Sequence, residues 1–166
     1  MKKSIVLTSI LLIFSISEIC ACSCYKKSVT ENYKGADLVF TGKVVEVIEQ
    51  RVIDSIPTAN KLNPFKIRRY RRVEFKFKII KLYKGETDSE FVSIYTTGGI
   101  SDCGNYFQLN SKQLVYSYFK DRRLNDWSTE RKVKPYLSTT TCSQTKELRR
   151  VKRKEKRKLK KLSGIK

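Results

Sequence analysis

The sequence predicts a mainly β domain: a five-stranded Greek-key barrel with a short helix before it and a basic helix after it. Three observations carry this. Runs rich in Val, Ile, Phe and Tyr recur between turn residues, at "DLVFTGKVVEVIE", "RRVEFKFKIIKLYKG", "EFVSIYT", "YFQL" and "QLVYSYF". One of them alternates cleanly: Val73, Phe75, Phe77 and Ile79 interleave with Arg72, Glu74, Lys76 and Lys78, as a strand with one buried face requires. Helical patterns are confined to the two ends.

The chain opens with a leader. Lys2 and Lys3 precede "SIVLTSILLIFSI", and Ala21 follows. That is the three-part layout of a secretory signal peptide over residues 1–21, and the run is short for a membrane span. The brief double-lysine start is bacterial in style and places the product outside the cell or in the periplasm or cell envelope. The stretch "EICACSC" then holds Cys20, Cys22 and Cys24. A cut after Ala21 leaves four cysteines: Cys22, Cys24, Cys103 and Cys142. An even count in an exported chain favours two disulfides. The rival reading is a lipoprotein anchored at Cys22, which consumes one thiol and leaves three.

"SVTE", Ser28 to Glu31, is a capping box, so a short helix runs through Tyr33 and ends near Gly35. The first strand spans Leu38 to about Glu49, with Gly42 marking a bend or bulge. Residues 50–66 read as a long loop, with Pro57, Asn60, Asn63 and Pro64 as breakers. The alternating strand slips past Ile79, which predicts a bulge, and turns at Lys84-Gly85. A third strand starts at Glu90. "YFQL" and "QLVYSYF" read as a hairpin joined at "NSK", after a Gly-rich loop that carries Cys103. "YLSTTTC" is a short extended piece. From Ser143 the pattern turns helical, with Leu148, Val151, Leu159 and Leu162 on a thin apolar stripe. Such a set fits the oligonucleotide/oligosaccharide-binding (OB) barrel; a sandwich of similar strand count is the alternative.

Composition narrows the chemistry. There are no histidines, which removes Ser-His and Cys-His catalysis and His-based metal sites. The chain therefore reads as a non-enzyme with no cofactor of its own. The formal charge is +20. Lys146 to Lys166 carry twelve Lys and Arg against two Glu. This segment, 146–166, is set apart from a domain over 22–145 and suits an anionic polymer or membrane surface. Without interleaved aromatics, and in an exported protein, no nucleic-acid partner is expected. Cys22 and Cys24 are too close to pair readily, so each must reach Cys103 or Cys142, and two connectivities remain. Either closes loops that, in the chain-entropy model, are worth about 4–5 kcal/mol apiece.

Taken in order, "CSC" at the expected mature N-terminus, "ADLVFTGKVVEV", "RRYRRVEFKFKIIKLYKG", "FVSIYTTGGISDCG", "LVYSYF" and "LSTTTCSQTKEL" resemble the N-terminal, netrin-like domain of the tissue inhibitors of metalloproteinases. The likeness covers most of Cys22 to Leu148. It implies the OB barrel and disulfides Cys22–Cys103 and Cys24–Cys142. It implies a partner, a zinc metalloendopeptidase, whose metal is capped in trans by the Cys22 α-amino and carbonyl groups. Those atoms can close a five-membered chelate and take the position of the zinc-bound water. The amine titrates at about 7.7–8.0 in models, so a neutral fraction exists near neutrality. The resemblance also puts Ser23 in the protease's specificity pocket, Cys24 and Tyr25 along its cleft, and Gly98, Gly99, Ile100 and Ser101 as a second contact strip. Departures are visible. Lys34 stands where a cysteine of the family's third disulfide belongs, the basic segment replaces a second small domain, and residues 50–66 differ. A non-inhibitory netrin-like binding module for an anionic ligand is the competing function.

Overall fold

In this computed structural model, residues 24–25, 27–57, 61–98, 103–122 and 132–164 are described. Helix α1 (Val29–Gly35) is followed by β1 (Leu38–Pro57), β2 (Phe65–Lys84), β3 (Phe91–Thr97), β4 (Lys112–Arg122), β5 (Lys132–Ser138), β6 (Lys146–Glu147) and helix α2 (Arg153–Ser163). Strands run in the order β1-β2-β3-β5-β4-β6, and β1 also pairs with β4. The sheet therefore closes into a ring. β1 takes one edge of β4 through Leu38–Lys43, while β5 and β6 share the other.

Ring closure depends on bends in the β1–β2 ribbon. The register slips between Thr41 and Gly42, leaving Ile80 unmatched on β2, where the sequence predicts a bulge. A Cβ on Gly42 would lie 2.8 Å from Phe40 Cε2, closer than real side chains come, and 3.0 Å from the Lys78 carbonyl oxygen, so the bend favours glycine. Gly85 turns the chain out of β2 at φ +86°, and a Cβ there would meet the Asp37 oxygen at 2.6 Å.

Two cores result. Inside the ring lie Phe40, Val44, Val73, Phe75, Phe77, Ile94 and Val115, plugged by Phe107. Phe107 meets Phe75 and Phe77 edge-on, with centroids 4.9 and 5.4 Å apart, the geometry aromatic quadrupoles favour. Outside it, Ala36, Val39, Leu114, Tyr116, Val151 and Leu159 gather beneath the two helices. The predicted capping box starts α1: Glu31 N–H donates to Ser28 Oγ, and Ser28 N–H to Glu31 Oε2. Those bonds, the backbone one first, hold the Glu31 carboxyl below its ordinary range. Lys84 Nζ closes the other end by donating to the carbonyls of Tyr33, Lys34 and Ala36, a favourable place for a cation.

Three expectations need correction. Most of the stretch read as a loop, 50–66, is strand: Val52 pairs with Tyr70 and Ile53 with Arg69 as the ribbon runs past the ring. Its breakers act only at the tip. "YFQL" is not a strand. Phe107 alone is buried there, between exposed Tyr106 and Leu109, and β4 pairs with β1 instead. The last helix starts at Arg153, not Ser143, because residues between them form 3-10 turns and β6.

Candidate functional site

The site grows from the chain's described beginning. Cys24 is disulfide-bonded to Cys142, 118 positions away. Cys142 lies in the turn Thr141–Ser143 after β5. That turn is fixed from beneath by a buried knot of hydroxyls: Thr139 Oγ1 lies 2.7 Å from Ser143 Oγ and 3.0 Å from Thr145 Oγ1, and donates to the Tyr116 carbonyl at 2.9 Å. Every member has a partner, as a buried polar cluster needs. Cys24 thus hangs from a rigid support.

The Cys103 segment joins the same rim. Thr141 N–H donates to the Cys103 carbonyl at 2.9 Å. Asn105 Nδ2 donates to the Thr140 carbonyl at 2.7 Å, and Asn105 N–H to Thr96 Oγ1 at 2.8 Å. Cys103 is itself disulfide-bonded; its expected partner, Cys22, lies outside the described residues. So do Ser23, Gly99, Ile100 and Ser101. Of the expected contact strip, Gly98 is described: its N–H donates to the Arg71 carbonyl at 3.1 Å, continuing the β2–β3 ladder. Tyr25 is 80 % exposed, on one wall of an open depression of ≈ 680 Å³ shared with Cys24, Lys27, Cys142, Gln144 and Lys146.

The sequence does not single out Asn105 or Gln144, yet both hold the rim. Gln144 sits in the left-handed region at φ 59° and its amide donates to the Lys27 carbonyl, tying the N-terminal segment to the turn a second time. Neither belongs to a recognisable spacing, so no local signal marks them.

A second feature lies on α2. Leu159 is fully buried against the ring, and Glu155, also buried, receives Lys146 Nζ at 3.2 Å and the Tyr116 hydroxyl at 3.4 Å. Burial foremost, with the Glu155 charge next, pushes the Tyr116 phenol up. The opposite face carries Arg153, Lys154, Lys156, Arg157, Lys158, Lys160 and Lys161, all exposed. The basic segment therefore presents its charges from a docked helix. Among the described residues no helix is long and apolar enough to cross a membrane.

A family model described as "Tissue inhibitor of metalloproteinase" matches residues 20–161. No curated protein matches the chain.

Proposed function

This chain belongs to the tissue inhibitor of metalloproteinase family, and from that premise we propose that it is an exported inhibitor of zinc metalloendopeptidases, with the strand ring serving as an OB barrel. In this reading the signal peptide is removed after Ala21. The Cys22 amine and carbonyl then cap the protease zinc, and Ser23, Cys24 and Tyr25 lie in its cleft beside the strip from Gly98 to Ser101. The zinc belongs to the target, and the inhibitor needs no metal of its own. The observation that carries the proposal is the clamping of Cys24, two residues from the expected terminus, to the Cys142 turn. A terminus held this way loses little freedom on insertion, which lowers the cost of binding.

The test compares two products against zinc endopeptidases with a quenched fluorescent peptide substrate. One begins at Cys22, the other carries one extra alanine before it. The first should inhibit; the second should be weaker by about 100-fold or more, roughly 2.7 kcal/mol. Equal inhibition, or a secreted product acylated at Cys22, sinks the mechanism.

The outward cations of α2 favour one additional reading: binding to an anionic polymer or membrane surface through residues 146–166. It predicts attachment that falls steeply with salt and survives the N-terminal alanine.

A further inference from the structure

Beyond the inhibitory terminus, the outer face of the ring holds a groove. A cavity of ≈ 760 Å³ lies between the outer part of the β1–β2 ribbon and β5. Ile53 and Phe119 stand on its walls, 70 % and 61 % exposed. Between them, Tyr95 and Tyr136 meet edge-on with centroids 5.4 Å apart. The Arg72 guanidinium lies 5.3 Å from the Tyr95 ring centroid. One arm of it donates to Gln50 Oε1 at 2.5 Å, while its buried Nε has no hydrogen-bond partner. Lys134 supplies a second cation at the wall. Glu74 engages the Tyr95 hydroxyl, but among the described residues no carboxylate lines the groove itself.

The strands beneath it are unevenly paired. β3 runs a full ladder with β2, from Arg72↔Thr97 to Lys78↔Phe91. Against β5 it makes one pair, Tyr95↔Ser138, with Thr139 N–H donating to the Tyr95 carbonyl. The β3–β5 seam is therefore the weakest closure of the ring, and it opens into this groove. A half-paired strand edge is a template for another extended chain.

We propose that this groove binds an extended, acidic polypeptide segment, its apolar side chains packed between Ile53, Phe119 and the Tyr95–Tyr136 pair and its carboxylate held by Arg72 and Lys134. Charge favours the acid: Arg72 and Lys134 line the groove, and among the described residues no carboxylate does, Glu74 being engaged from outside the lining with the Tyr95 hydroxyl. The apolar and aromatic walls select side chains.

The probe is a fluorescein-labelled hexapeptide alternating valine and glutamate, followed by anisotropy on the disulfide-intact chain. Its controls are the valine–lysine and glycine–glutamate hexapeptides. The valine–glutamate peptide should bind at least about tenfold more tightly than either control, the scale expected for a desolvated charge-assisted contact plus side-chain burial. The double variant Arg72→Gln with Lys134→Gln should lose about tenfold, with circular dichroism unchanged. Lys156→Gln with Lys160→Gln on α2, or an alanine before Cys22, should leave affinity alone. Four results overturn the proposal: no binding, equal binding of either control peptide, loss on changing α2 or the N-terminus, or displacement by a uronate oligosaccharide at lower concentration than by unlabelled peptide.

Discussion

The inner and outer halves of the β1–β2 ribbon belong to one antiparallel pairing, whose register slips only in the inner half, and share almost nothing else. In the inner half, Phe40, Val44, Val73, Phe75 and Phe77 are sealed inside the ring. In the outer half, Ile53, Phe65 and Ile67 are 70 %, 62 % and 61 % exposed. Pairing continues regardless, through Val52↔Tyr70 to Pro57↔Phe65. β-branched residues and cross-strand partners such as Glu49–Arg71 and Gln50–Arg72 extend it. Burial stabilises the inner half, whereas local pairing shapes the outer one.

Core truncation tests the contrast most sharply. Phe75→Ala empties a site shared with Phe107 and Tyr106 and should cost about 3–5 kcal/mol in urea denaturation. Ile67→Ala, on an exposed position of the same strand, should stay within about 0.5 kcal/mol. Similar losses at both sites would mean that the outer ribbon carries hidden packing.

Alkali probes a smaller difference. Burial, with a lesser contribution from Tyr70, pushes the Tyr136 phenol up to about 12, and Tyr116 shifts in the same direction. A raised phenol binds its proton more tightly in the folded chain. That stabilisation is whole below the unfolded value of about 10 and is lost as pH climbs through the folded one. Stability should therefore fall from about pH 10 to about 12, followed by denaturation and phenolate absorbance. Tyr136→Phe should flatten part of the fall.

The same contrast explains what the sequence discloses. Burial imprints a pattern, so Val73, Phe75 and Phe77 are legible as one strand face, and the slip after Ile79 as a bulge. In the outer ribbon, where Ile53 is exposed, "RVIDSIP" has no alternation to read, and its flanking Asn and Pro residues resemble a loop. Phe107 misleads in the opposite way: a lone plug between two exposed apolar residues imitates a strand. At the rim, Cys24–Cys142 follows from family likeness, not from spacing, which leaves two connectivities open. Asn105, Gln144 and the groove residues Arg72, Tyr95 and Tyr136 act only across separate segments, and no linear pattern encodes such a meeting.

The largest deletion should also change stability little. Replacing residues 53–69 with a two-residue Asn-Gly turn, which keeps Val52 opposite Tyr70, removes the outer ribbon while sparing both buried clusters. Loop-closure entropy varies slowly with length, and the described side chains lost from the tip, Ile53, Leu62, Phe65 and Ile67 among them, are exposed, so unfolding free energy should move by less than about 1 kcal/mol. The inhibition proposed for Cys22 should persist, because Cys24, Cys103 and Cys142 are anchored elsewhere. Binding of the valine–glutamate peptide should fall, since Ile53 is gone while Arg72 and Tyr136 remain. A large loss of stability would show that the outer ribbon supports the inner one, and would dissolve the distinction between a buried scaffold and an exposed arm.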